Sequence, residues 1–132
     1  MARQKLNVLS EEEIFSFHEF LIQRDGGLPG LRAEGSLSSV IQKVYNHAQY
    51  DTTFRDPWRL SGLLAYAIVV GHPFNDGNKR TALVAGAAML ALNKCQQPPP
   101  MSLAELLVEV AAGEVDQDSF IEQFVMLAKK QK

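Results

Sequence analysis

Apolar residues recur three and four positions apart along most of this chain, the spacing of an α-helix with one buried face. Ser10 and Glu13 form a capping-box pair before the first apolar stripe, which predicts a helix from about Ser10 to Arg24. Residues 26–36 mix glycine with charge and show no period, which is typical of a long loop. A second apolar stripe predicts another helix over residues 37–48.

The middle of the chain predicts two further helices. Residues 51–55 indicate a polar connection. Asp56 and Pro57 then have the form of an N-cap and a first-turn proline, and they open a helix that Gly71 ends. The stretch 78–92 is rich in alanine and almost free of charge after its first turn. We expect it to be the buried central helix, which neighbouring helices approach closely at its small residues.

The last third of the chain predicts two shorter helices. After a run of three prolines, Ser102 and Glu105 form a second capping-box pair, which predicts a helix ending near Gly113. A last helix is predicted over about residues 118–129. No strand pattern or internal repeat is evident, so the sequence predicts an all-α fold, a single-domain helical bundle spanning residues 1–132.

Composition limits the classes of function. The net charge is −2, and apart from Lys129, Lys130 and Lys132 there is no dense basic run, so direct nucleic-acid binding is not expected. We interpret those lysines as complements to a helix dipole. The single cysteine, Cys95, suits a reducing compartment, and residues 83–92, the most apolar stretch, are too short to cross a bilayer. We therefore expect a cytoplasmic protein without a membrane partner.

Groups suited to phosphate chemistry are concentrated in residues 72–80, which read His-Pro-Phe-Asn-Asp-Gly-Asn-Lys-Arg. The segment ends where the central helix begins, and the free N–H groups of a helix start favour an anion. Gly77 allows close approach of a phosphate, and Lys79 and Arg80 add positive charge at the same edge. The pattern predicts a phosphate site.

Two further groups of this motif suit catalysis. Asp76 could hold a magnesium ion, and His72 has a pKa range suited to accepting a proton from an attacking hydroxyl. Taken singly, each residue has a simpler interpretation: a capping or core histidine, an aspartate N-cap, or solvent-exposed cations at Lys79 and Arg80. Phe74 is expected in the core. Their combination favours the catalytic interpretation.

The motif resembles that of the Fic/Doc family, His-x-Phe-x-Asp/Glu-Gly/Ala-Asn-Gly/Lys-Arg, at every fixed position. The resemblance extends upstream to His18 and to residues 26–32, which are similar to a loop of the death-on-curing (Doc) branch. Downstream, residues 81–83 are also similar to that branch, so the resemblance covers most of residues 10–95.

The resemblance implies a role for each motif residue. His72 would act as the base, Asp76 would bind Mg²⁺, Asn78 would position phosphate, and Lys79 and Arg80 would neutralise its charge. Family members that transfer AMP usually have glycine in place of Lys79, whereas Doc-like members with lysine are similar to kinases. These pass the terminal phosphate of ATP or another NTP to a threonine of a translation elongation factor.

Two alternatives remain open at the sequence level. The first is a Fic-type AMP transferase that uses the same residues with the nucleotide reversed. The second is an inactive helical binding module that keeps the motif for structure.

The resemblance also implies partners. The loop containing Gly27 and Arg32 would be a flap that docks the target protein. The self-inhibitory motif of some relatives is missing, because Gly30 stands where its serine would precede Glu34-Gly35. The resemblance therefore implies a separate Phd-like antitoxin, which would bind as a helix in a groove beside the site. Val70 departs from relatives that carry a basic residue there.

Overall fold

The computed structural model describes residues 6–130, which fold into a bundle of α-helices. In chain order these are α1 (Glu11–Asp25), α2 (Ser36–Tyr50), α3 (Pro57–Gly71), α4 (Asn78–Leu92), α5 (Pro100–Ala111) and α6 (Gln117–Lys129). Within residues 6–130, β-structure is limited to one isolated antiparallel bridge between Leu31 and Phe74. The predicted all-α class is confirmed. None of the described helices combines the length and apolar character needed to cross a lipid bilayer.

Three of the described α-helices, α1, α3 and α6, begin at a side-chain cap. The Ser10 hydroxyl accepts a hydrogen bond from the Glu13 N–H at 3.1 Å, and the Glu13 carboxylate accepts one from the Ser10 N–H at 2.8 Å. This confirms the predicted capping box of α1. The Asp56 side chain accepts from the Trp58 N–H at 3.1 Å, which confirms the predicted N-cap of α3. Lys129 lies in the last turn of α6, while Lys132 is outside the described residues.

Two segments differ from their predicted structure. The capping box at Ser102 is wrong, because α5 already begins at Pro100 after Pro99, with no side-chain cap. Proline has the backbone angle that a first helical residue needs, so the helix starts three residues earlier than the polar pattern indicated. Residues 52–55 form a 3-10 turn rather than only a polar connection, and the turn buries the ring of Phe54.

The core is built on α3 and α4, which pack side by side beneath α6. A Cβ atom on Gly86 of α4 would lie 3.4 Å from the Cβ of Ala65 on α3 and 3.4 Å from the Phe124 ring on α6. Gly62 on α3 leaves similar room for the same ring. The predicted close approach at the small residues of α4 is confirmed, and α3 shares its central position.

Phe124→Ala should lower the free energy of unfolding by about 3–5 kcal/mol, the cost of deleting a buried aromatic ring. The ring is fully buried in the space that the two glycines leave. Met126→Ala on the same helix is the control, because that side chain is 58% exposed. It should change the free energy by no more than about 0.5 kcal/mol. Chemical denaturation measures both, and equally small losses would contradict this packing.

Candidate active site

The connection between α3 and α4, residues 72–77, begins with a histidine in an uncommon backbone conformation. His72 follows the last residue of α3, and its φ of 51° lies in the left-handed region. Non-glycine residues seldom adopt this region, and surrounding contacts must hold them there. The residue is exposed, and its imidazole has no hydrogen-bond partner among residues 6–130. The side chain is therefore available to a ligand.

The loop between α1 and α2, residues 26–35, which we call the flap, runs beside this connection. The N–H of Arg32 donates to the carbonyl of Pro73 at 2.8 Å, and the N–H of Asn75 donates to the carbonyl of Gly30 at 3.1 Å. These bonds flank the isolated β-bridge. They fix the path of the chain from α3 to α4 against a second segment of the protein.

A stacked pair of rings anchors the same loop from below. The rings of His18 and Phe74 are nearly parallel, with centroids 3.7 Å apart, and both residues are buried. Nε2 of His18 lies 2.8 Å from the carbonyl oxygen of Asp76. Because a carbonyl only accepts, Nε2 carries the hydrogen. The sequence indicated His18 only through the family resemblance, since one histidine in an apolar helix gives no signal of a partner so far along the chain.

The side-chain amide of Asn78 binds the backbone of the same loop. Its Oδ1 accepts from the N–H of Phe74 at 3.0 Å, and its Nδ2 donates to the carbonyl of Phe74 at 2.9 Å. The residue is buried, and its side-chain amide is used inside the loop. A contribution of Asn78 to phosphate binding would therefore come from its backbone N–H, or through the loop shape that it maintains.

The N-terminus of α4 is open. Its N-cap is Gly77, in the left-handed conformation with φ 75°, and no side chain caps it. Asp76 is therefore not the N-cap. The first bond inside the helix runs from the N–H of Thr81 to the carbonyl of Gly77, so the N–H groups of residues 78–80 have no acceptor within the helix. These groups and the positive end of the helix dipole favour an anion.

The two cations of the motif have different surroundings. Lys79 is exposed and has no hydrogen-bond or ion-pair partner among residues 6–130. The guanidinium of Arg80 lies 3.3 Å from the carbonyl of Gly26 and 3.6 Å from the carboxylate of Asp25, at the end of α1. It also lies 3.2 Å from where a Cβ of Gly77 would stand. Arg80 is thus a fixed charge beside the helix start, and Lys79 is a free one.

The carboxylate of Asp76 is exposed but held in place. Its Oδ2 accepts from the N–H of Leu28 at 3.2 Å, and its Oδ1 accepts from the N–H of Gly77 at 2.9 Å. These two bonds, followed by the nearby charge of Arg80, hold the pKa of the carboxyl below its ordinary value. The group therefore stays ionised and can ligate a cation.

A magnesium ion fits this donor set only if a substrate completes its coordination. No cluster of three or more histidine, cysteine, aspartate or glutamate residues that could hold a metal occurs among residues 6–130. Magnesium commonly binds through one or two carboxylates, with substrate phosphates and water as its other ligands. Asp76 suits an ion that arrives with a nucleotide.

The two flap residues predicted to dock a target both contact the motif. A Cβ on Gly27, whose φ is 119°, would lie 2.7 Å from Oδ2 of Asp76. The guanidinium of Arg32 donates to the carbonyl of His72 at 2.6 Å and to that of Gly71 at 3.2 Å. The flap therefore supports the residues proposed as base and metal ligand, while its docking role stays a prediction.

Comparison with known proteins identifies the family of the chain. Residues 8–90 match the model of the Fic/DOC family, and the matched segment contains the flap and the whole motif. The chain is 36% identical over 111 residues to protein kinase doc of Escherichia phage P1, which covers 84% of this chain and 87% of that relative. The chain therefore belongs to the Fic/DOC family, and the predicted resemblance to its Doc branch is confirmed.

Gly27→Ala should raise the pKa of the Asp76 carboxyl towards its ordinary value. The added methyl group would meet Oδ2 of Asp76 and displace the Leu28 N–H that stabilises the ionised form. Gly26→Ala is the matched control, since Gly26 also has a positive φ but its Cβ would meet nothing within 4 Å. An NMR pH titration of the carboxyl carbon measures both, and an unchanged pKa in Gly27→Ala would contradict the contact.

Proposed function

We propose that this protein transfers the terminal phosphate of ATP or another nucleoside triphosphate to a serine or threonine hydroxyl of a protein. The proposed acceptor is a translation elongation factor. The observation that carries the proposal is the exposed Lys79 in the uncapped first turn of α4, where AMP-transferring relatives usually have glycine. The printed name of the phage P1 relative, protein kinase doc, supports the same class of reaction.

The triphosphate would bind at the N-terminus of α4. The N–H groups of residues 78–80 would donate to its phosphate oxygens, and Arg80 would supply a fixed charge beside them. Lys79 would reach the transferring group and stabilise the negative charge that develops on it. Asp76 would hold a magnesium ion, which when bound would supply further positive charge to neutralise the phosphates.

His72 would act as the base towards the acceptor hydroxyl. In the proposed step the hydroxyl oxygen forms a bond to the terminal phosphorus, and the bond from that phosphorus to the oxygen of the nucleoside diphosphate breaks. The hydroxyl proton passes to the imidazole of His72. The exposure of this side chain supports the role, because an acceptor protein must reach it from solvent.

We also propose that a Phd-like antitoxin restrains the protein and that both act in the cytoplasm. A groove of about 510 Å³ lies between α2 and α3, and its lining includes Lys43, Val44 and Tyr66. The groove reaches Gly71 and Arg32, immediately beside His72. An antitoxin helix with an apolar face and acidic flanks would fit there and cover the base.

His72→Ala should reduce transfer at least about a hundredfold, because proton transfer by a positioned base is generally worth that much. The melting temperature should hardly move, since the residue is exposed. His47→Ala, an exposed histidine on α2, is the matched control and should retain full transfer. Incubation with labelled ATP and a cell extract measures the rate. Retained transfer with a large loss of stability would make His72 a structural residue.

Lys79→Gly should reduce phosphate transfer by about 2.7–4 kcal/mol of transition-state stabilisation, the usual loss for one such donor. Lys94→Gly, an exposed lysine beyond the other end of α4, is the control and should have no effect. Mass spectrometry of the acceptor distinguishes an added phosphate from an added AMP. If wild type and Lys79→Gly add the same group at the same rate, Lys79 takes no part and the choice of branch fails. An AMP added by the wild type would establish the alternative transferase.

A further inference from the structure

We infer that Arg32 is a positioning residue for the reaction: it holds the backbone of His72 in the conformation that presents the imidazole to the phosphate site. The inference rests on the proposed function, because it takes His72 to be the base of the transfer reaction. It differs from the target-docking role predicted for the flap, because Arg32 would act through His72 and not through the acceptor protein.

Arg32 donates hydrogen bonds to three successive carbonyl groups. Its Nε donates to His72 at 2.6 Å, its Nη2 donates to Gly71 at 3.2 Å, and its backbone N–H donates to Pro73 at 2.8 Å. The last carbonyls of a helix lack partners within the helix and carry the negative end of its dipole. A guanidinium fork matches two neighbouring acceptors of this kind.

These contacts matter because His72 has an unfavourable backbone conformation. A φ of 51° is unfavourable for a residue with a Cβ, so the surrounding structure must maintain it. Among residues 6–130, the carbonyl of His72 accepts a hydrogen bond from Arg32 and from no other residue. The imidazole has no partner of its own in this part of the chain, so the backbone sets the direction in which it leaves the loop. Loss of the guanidinium would therefore misplace the base.

The test uses Arg32→Ala, with Arg59→Ala as the matched control. Arg59 is an exposed arginine near the opposite end of α3, where it pairs with Asp56. Steady-state kinetics with ATP and the acceptor should show kcat lower by about 10- to 100-fold in Arg32→Ala, the cost of a small misplacement of a catalytic group. The KM values for ATP and acceptor should stay within about twofold, since neither ligand contacts Arg32 in this account. A raised KM for the acceptor with kcat retained would establish docking and overturn the inference.

A second readout does not depend on activity. The NMR shifts of the Cα and Cβ carbons of His72 report its backbone conformation. They should change in Arg32→Ala and stay as in wild type in Arg59→Ala. Unchanged shifts in Arg32→Ala would overturn the inference, whatever the kinetics show. If wild type transfers no group at all, the proposed function fails, and these shifts still decide whether Arg32 holds the conformation of His72.

Discussion

Phe74 belongs to the loop that joins α3 to α4, and its fully buried ring holds that loop in position. Its ring stacks on His18, and its backbone N–H and carbonyl take up both atoms of the Asn78 side-chain amide. Because both the ring and the backbone of Phe74 are held, the loop is rigid. The residues two positions before and after it, His72 and Asp76, are therefore held in place at the surface. A short loop supported in this way can keep the exposed imidazole of His72 and the exposed carboxylate of Asp76 at a constant distance from each other.

The electrostatics of the site follow from the way α4 begins. Side chains cap α1, α3 and α6, whereas α4, like α2 and α5, has no side-chain cap, even though Asp76 lies directly before its N-cap residue Gly77. The Asp76 carboxylate instead accepts from the flap and from Gly77, which leaves the first N–H groups of α4 open. Together with Lys79 and Arg80 they form a concentration of positive potential that an anionic ligand would satisfy.

The sequence predicted the helices well because caps, prolines and apolar periodicity are local signals, as the starts of α1 and α3 illustrate. It failed at Ser102, because Ser102 and Glu105 have the spacing of a capping box but lie inside a helix that already begins at Pro100. The sequence singled out the motif residues, whose roles stay predictions, but it did not predict the contacts that surround them. The contact of Arg32 with His72 depends on how the flap folds back, because the two residues are 40 positions apart and no spacing along the chain encodes that approach. Long-range pairing therefore limited the prediction of the site more than that of the fold.

The transfer reaction is tested most directly by giving the purified protein and its acceptor two preparations of ATP, one labelled at the α-phosphate and the other at the γ-phosphate. The proposed function predicts that label from the γ-phosphate alone is retained on the acceptor, because Lys79 and the open end of α4 present the terminal phosphorus to the hydroxyl near His72. Retention of the α-label would mean that the nucleotide binds in the opposite sense and that AMP is transferred. Retention of neither label would contradict the account of a catalytic site.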